Sequence, residues 1–183
     1  SDYFKIGCSC TGSEFAQGAT KDLIKKHYNS LTLGNELKPD SVLDQALSQK
    51  YVAETGDDTM PQISLNEADK ILKFAGENKI PVRGHVLVWH SQTPDWFFKE
   101  NFDPNGAWVS KDKMTKRLEN YIKTVMETLK KDYPDVEFYA WDVVNEAASD
   151  AGTIRDAGSN NEVDGQSAWV KVYGDQSYIP LAF

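Results

Sequence analysis

Ala140-Trp141-Asp142-Val143-Val144-Asn145-Glu146 is an apolar run that ends in an amide and a carboxyl group. Its β-branched and aromatic residues suit a strand, and an apolar stretch of this length suits a parallel sheet covered on both faces. Side chains alternate along a strand, so Asp142, Val144 and Glu146 should share one face. A strand buried on both sides has no packing reason to finish in Asn-Glu. A carboxyl placed there loses solvation, which raises its pKa unless partners hold it charged, and a carboxyl that keeps its proton near neutrality can act as a general acid. The plainer alternative is a strand end that emerges into water. For an isolated Asn-Glu pair that alternative is the default, and the rest of the chain has to decide.

Working outward, Met114, Leu118, Tyr121, Ile122, Val125 and Leu129 recur at three- and four-residue spacing and predict a long helix over Lys111 to Lys131, capped by Ser110 and ended by Pro134. An aromatic loop, 90–98, precedes it. Pro81 to Trp89 predicts a strand with Arg83, His85, Leu87 and Trp89 on one face and Val82, Gly84, Val86 and Val88 on the other. Ser64 and Glu67 read as a capping box opening a helix that carries Ala68, Ile71, Leu72 and Ala75 and stops near Asn78. Residues 44–62 read as a long polar loop. Ser30 to Leu33 is strand-like and runs into 34–40, which Pro39 marks as a strand end and loop rather than a helix start. Before it, Phe4 to Cys8 reads as a first strand and Lys21 to Tyr28 as a helix. Downstream, Ser149 to Gln166 is a Gly- and Asn-rich loop, with a helix beginning near Asp175.

Four strand–helix alternations without an internal repeat predict an α/β fold of parallel βαβ units with right-handed crossovers. Polar and aromatic residues gather at 34–38, 89–97 and 145–150, each after a strand, and such folds place their site at that end. The three clusters should therefore meet.

The chain of 183 residues can build a real core but falls short of the ~250 of a closed (β/α)8 barrel. A net charge of −8 repels phosphate backbones and anionic bilayers, so neither nucleic acid nor a membrane surface is an expected partner. No apolar run approaches the ~20 residues of a membrane helix. Ser1-Asp2-Tyr3 carries no signal peptide, which fits a mature secreted domain and a cytosolic protein equally. Cys8 and Cys10 are too close to staple a loop and read as small buried hydrophobes. His85 and His90 lack the spacing of a helical zinc pair and would point to opposite faces of a strand, so no metal site and no cofactor are expected.

Three motifs carry a family resemblance. Arg83-Gly84-His85-Val86-Leu87-Val88-Trp89-His90-Ser91-Gln92 and Trp141-Asp142-Val143-Val144-Asn145-Glu146 resemble the third- and fourth-strand signatures of family 10 glycoside hydrolases. Asn29-Ser30-Leu31-Thr32-Leu33-Gly34-Asn35-Glu36-Leu37-Lys38-Pro39-Asp40 resembles the second. The resemblance implies a (β/α)8 barrel of which this chain holds about the first four β/α units, and a secreted endo-β-1,4-xylanase acting with retention on xylan and xylo-oligosaccharides. It implies Glu146 as general acid/base, Asn145 on the sugar 2-hydroxyl, and Asn35, Lys38, His85, Trp89 and Gln92 as sugar-binding residues. Amides and an ammonium suit hydroxyl-rich ligands, and an indole offers a flat apolar face to a sugar ring. Trp96 reads as a structural aromatic or cleft wall, and Asp142 as a structural partner of Arg83 without a catalytic role.

Two departures stand out. Gly34 occupies a position where many members carry a sugar-binding glutamate. The nucleophilic second carboxylate, which a retaining glycosidase needs about 5–5.5 Å from the first, falls on a later strand in the family. Glu14, Glu36 and Asp40 lie in the wrong motifs for it. The expectation is therefore the N-terminal part of a larger catalytic barrel, nicked, truncated or completed by another polypeptide, with the complementary C-terminal half as one candidate partner. The alternatives are a non-catalytic xylan-binding or inactive fragment, or a related barrel β-glycanase acting on cellulose or mannan.

Overall fold

The computed structural model describes residues 3–160 and 165–183. Four strands, β1 (Gly7–Cys10), β2 (Ser30–Leu33), β3 (Val82–Trp89) and β4 (Phe138–Asn145), form one parallel sheet in the order β1-β2-β3-β4. The first strand begins later than the expected Phe4, because Phe4 and Ile6 are exposed and pair with nothing in the sheet. Helices α1 (Gly12–Phe15) and α2 (Gly18–His27) connect β1 to β2. Between β2 and β3 run α3 (Pro39–Val42), α4 (Gln45–Thr55) and α5 (Asp69–Glu77), and α6 (Lys111–Asp132) leads into β4. Beyond it lie the short pair β5 (Asp156–Ala157) and β6 (Gln166–Ser167), then α7 (Ala168–Tyr173) and α8 (Tyr178–Leu181).

The predicted stripe of α6 is the buried one: Met114, Leu118, Tyr121, Val125 and Leu129 are buried, and Ser110 Oγ caps Lys113 N at 3.3 Å. Each of the aliphatic side chains among them removed from water contributes roughly 1.5–3 kcal/mol. Cys10 is buried and Cys8 half-buried, both unpaired, and burial pushes the Cys10 thiol up to about 11.

Several expectations need correction. Residues 44–62 are not a loop throughout, since α4 starts on Asp44, whose carboxylate accepts from Leu47 N at 2.9 Å, and ends at Gly56 with φ +75°. Its apolar stripe is weak, with Leu47 45% exposed, so periodicity could not reveal it. Pro39 does start a helix, as the first residue of α3, where its missing N–H costs nothing. The Ser64–Glu67 box does not form: α5 begins at Asp69 without a side-chain cap. The box signature that does fold is Thr11–Glu14, with reciprocal bonds between side chain and backbone. The last helices start at Ala168 and Tyr178 rather than near Asp175, because Ser167 caps α7 and Gly174, φ +78°, ends it.

In β3 the two-residue alternation breaks. His85 faces Asp142 but Val88 faces Val144, so β3 carries one extra residue there, and the His85–Val86 peptide is cis. Arg83 and His85 share a face as expected, whereas Leu87 is buried in the core. Gly84 lies opposite Trp141, and a Cβ on it would sit 2.3 Å from the indole, so only glycine lets Trp141 cross β3.

β4 is not sheathed on both faces either. It is the sheet's outer strand, half-buried along its length with Tyr139 exposed. Beside it an apolar groove of about 460 Å³, lined by residues including Met126, Leu129, Tyr133, Phe138 and Trp141, separates β4 from the end of α6.

One polar hub stitches the loops above the sheet. Arg117 of α6 is wholly buried and donates to the carbonyls of Asp58 (2.6 Å), Phe97 (2.7 Å) and Lys99 (2.8 Å) and to the Asp58 carboxylate (3.1 Å). Lys113 joins Asp58 to Glu100. Burial pulls the Arg117 guanidinium down to about 10, against the attraction of Asp58 and Glu100.

Candidate active site

Beyond β2 the chain turns sharply because Lys38, as the residue before Pro39, is held extended at φ −74°, ψ 153°. That geometry aims the Lys38 ammonium inward, where it donates to Asn35 Oδ1 at 2.8 Å and Gln92 Oε1 at 2.7 Å. It also stands 5.1 Å from the centroid of the Trp89 ring. Asp40 N donates to the Gln92 carbonyl at 2.9 Å, so the clusters after β2 and β3 are stitched together. Lys38 is 9% exposed, so it is not a solvated loop charge.

Register places Trp89 opposite Asn145. Across that junction the Trp89 indole N–H donates to Glu146 Oε2 at 2.8 Å, and His90 Nδ1 lies 4.0 Å from the same oxygen. The three clusters named from sequence therefore meet through Lys38, Trp89 and Glu146. Glu146 itself departs from expectation. Its side chain is 52% exposed, so the described residues do not desolvate it, and its backbone turns left-handed at φ +49° as β4 ends.

His85 and Asp142 form the floor. Asp142 Oδ1 accepts from Arg83 Nε at 3.0 Å and from Arg83 Nη2, while Oδ2 stands 3.0 Å from His85 Nδ1. Burial pushes the Asp142 carboxyl up, but the bonds from Arg83 and His85 outweigh it and hold the group below its usual range. An ionised carboxylate only accepts, so the proton of a neutral His85 sits on Nδ1 and Nε2 keeps its lone pair. The expected Arg83–Asp142 pairing is present, and the sequence reading missed that His85 joins it.

The other carboxylates are engaged elsewhere. Glu14 caps Thr11, and Glu36 is buried, accepting from Gly12 N (2.5 Å) and Asn35 N (3.1 Å). Asp40 lies 3.4 Å from Gln92 Nε2. Trp96 packs edge-on against Phe97 and Phe102 as a structural aromatic. At Gly34 a Cβ would stand 2.8 Å from Thr11 Cγ2, so the glutamate common at this position has no room beside Thr11 as it stands. Among the described residues no group of three or more His, Cys, Asp or Glu side chains is arranged to hold a metal ion. Sequence reading also missed Arg155, which is buried and donates from Nε to the Glu146 carbonyl at 2.8 Å; it lies in a loop outside all three motifs.

This is a cleft wall of amides, an ammonium and an indole, with one exposed carboxyl at its edge, and its chemistry suits a hydroxyl-rich ligand and proton transfer.

Known proteins resemble this chain in sequence and in fold. The chain is 49% identical over 184 residues to the bifunctional endo-1,4-beta-xylanase XylA of Ruminococcus flavefaciens, an alignment covering 100% of this chain and 18% of that protein. Among solved structures, the CBM22-1–GH10 modules of the Clostridium thermocellum endo-1,4-beta-D-xylanase 10B, complexed with xylohexaose, superpose with a TM-score of 0.88 at 42% identity, over 98% of this chain and 34% of that one. TsXylA, an intracellular xylanase from Thermoanaerobacterium saccharolyticum, gives a TM-score of 0.74 at 34% identity, over 100% of this chain and 49% of that one. The chain thus spans less than half of each of these relatives. The profile of glycosyl hydrolase family 10 matches residues 1–183. With four parallel strands in sequential order and a family match along its whole length, the chain belongs to glycosyl hydrolase family 10, and its sheet is part of that family's (β/α)8 barrel.

Proposed function

We propose that this chain supplies the proton donor and sugar-binding wall of an endo-β-1,4-xylanase that cleaves internal xylan linkages with retention. Glu146 protonates the glycosidic oxygen and then activates water, and Asn145 holds the sugar 2-hydroxyl, a bond that strengthens in the transition state. Asn35, Lys38, His85, Trp89 and Gln92 hold the neighbouring sugars. The observation that carries this reading is the Trp89–Glu146 hydrogen bond, which ties the carboxyl to the Lys38–Asn35–Gln92 cluster. The relatives' xylanase names and the xylohexaose in the Clostridium thermocellum structure support the substrate class.

The nucleophile, ~5–5.5 Å from Glu146 in a retaining site, comes from barrel strands beyond these four. Glu146 is touched by Trp89, His90 and, at its carbonyl, Arg155, and no carboxylate is among these contacts within the described residues. The complementary strands would also cover β4 and its groove. Secretion belongs to the same proposal, because polymeric xylan does not cross a membrane, and recovery of activity in the medium rather than in cells checks it.

The test is Glu146→Gln in the protein with its barrel complete. Xylan turnover should fall by about 10²–10⁴-fold, the usual contribution of a general acid, while xylo-oligosaccharides still bind. Unchanged turnover defeats the assignment. Turnover by residues 1–183 alone, abolished by Glu146→Ala, defeats the need for further strands. Higher initial rates on carboxymethylcellulose or mannan than on xylan would move the substrate to another β-glycan. A second reading, sugar binding without turnover, draws on the exposure of Glu146, and binding that stays unaccompanied by hydrolysis in the complete barrel would select it.

A further inference from the structure

The segment after β4 contains none of the three motifs, yet it grips the backbone of both strand ends from behind. Trp169, 1% exposed, donates its indole N–H to the Trp89 carbonyl at 3.0 Å, and Thr93 Oγ1 donates to the same oxygen at 2.7 Å. Arg155, 4% exposed, donates from Nε to the Glu146 carbonyl at 2.8 Å, and Gln176 Nε2 reaches the next carbonyl, Ala147, at 3.3 Å. The two residues that touch across the site are therefore each fixed through their main chain by a buried side chain.

Glu146 is where such a grip matters. Its φ of +49° is a left-handed conformation that residues with a Cβ rarely hold unless the surroundings impose it. Arg155 is also an odd choice for a packing residue. Among the described residues its Nη1 is buried without a hydrogen-bond partner, and no carboxylate there pairs with the guanidinium. A buried guanidinium without an ion pair is costly, and an apolar side chain would fill the space without that cost.

We propose that Arg155 is a positioning residue for Glu146. By anchoring the carbonyl it fixes the left-handed turn, and the turn sets the direction of the side chain so that the carboxyl meets Trp89 Nε1. This rests on the reading of Glu146 as acid/base, where the same carboxyl must stay in place while it gives up a proton and then takes one back.

The test reads the Trp89–Glu146 contact in the 183-residue protein labelled with 15N-tryptophan, whose five indole N–H resonances are few enough to assign by substitution. In the wild-type protein the Trp89 resonance should follow protonation of Glu146 as pH is lowered, and Glu146→Ala marks its position with the bond absent. Arg155→Met should move the Trp89 resonance more than half of the way to that position and flatten its pH response, with the Trp169 resonance reporting an intact fold. Arg155→Lys, which keeps a donor, should restore most of the shift. A folded Arg155→Met protein whose Trp89 resonance and pH response match wild type overturns the proposal. If Arg155→Met does not fold, the wild-type Arg155 Nε–H decides. Exchange with solvent at least about tenfold slower than in free arginine supports the anchor, and exchange at the free rate overturns it. Turnover is not the readout, so failure of the xylanase reading and failure of this one give different results.

Discussion

Replacing Asp142 with asparagine should loosen the floor of the site without emptying it. Asp142 accepts from both Arg83 and His85, and asparagine keeps one oxygen but presents its NH2 to one of those donors. A hydrogen bond to a charged group contributes about 1.5–3 kcal/mol. The Arg83 side chain is 52% exposed, so its share is worth no more than about 1 kcal/mol. His85 and Asp142 are 22% and 20% exposed, and their bond keeps more of its value. Together these give a loss of about 2 kcal/mol at neutral pH, which at roughly 2 kcal/mol per molar urea lowers the unfolding midpoint by about 1 M. The pH dependence has a fixed sign. The folded carboxyl sits below its unfolded value near 3.9, so its contribution is complete above that value and is lost as pH falls through the folded one. Wild type and Asp142→Asn should differ at pH 7 and converge in acid. His85 should show a protonated Nδ1 by 15N chemical shift in the wild-type protein and a mixture of tautomers in the variant. Equal urea midpoints at pH 7, with unchanged His85 nitrogen shifts, would refute the account.

Lys38→Met removes the charged donor shared by Asn35 and Gln92 beside Trp89, so xylotriose binding measured by calorimetry should weaken by about 10–100-fold, and unchanged affinity would remove Lys38 from the wall. Gly34→Ala brings a methyl to 2.8 Å from Thr11 Cγ2, in a residue pinned by its own cap, and should cost about 1–2 kcal/mol in urea unfolding. Thr11→Ser deletes that methyl and keeps the capping hydroxyl, so the double variant should recover most of the loss, and strictly additive effects would show that the two residues do not collide.

The parts of the fold legible in the sequence were those with strong periodicity or a specific motif. The α6 stripe appears almost to the residue because five buried apolar positions, the half-buried Ile122 and a serine cap agree. The convergence of Lys38, Trp89 and Glu146 was readable because each ends or follows a strand of a parallel sheet. What escaped has identifiable causes. α4 lacks an apolar stripe, and its only local marks are the Asp44 cap and Gly56. The capping-box pattern recurs along the chain, and at Thr11 and Ser64 only tertiary contacts decide that the first folds and the second does not. The extra residue in β3 leaves no compositional trace, so the sequence alternation does not foretell the register shift between His85 and Val88. Arg155 was invisible because its role depends on a loop folding back against β4, a contact no local pattern encodes.

The Arg117 hub has a consequence for how this protein can change. A single side chain of α6 closes the turn at Asp58 and the turn at Phe97–Lys99 at once, and the Asp58 carboxylate serves both Arg117 and Lys113. Exchanging the Asp58 loop for one without a carboxylate, or α6 for a helix without Arg117, would break a buried ion pair, a defect of about 3–5 kcal/mol. A Phe97–Lys99 loop of other geometry would withdraw two carbonyl acceptors from the same guanidinium. The two loops and α6 are thus a unit of inheritance: recombination that moves them together preserves the barrel's upper rim, whereas a crossover between them breaks it. The polar cluster at 34–40, where Lys38 bonds Asn35 and Gln92, makes none of these contacts and can vary independently of them.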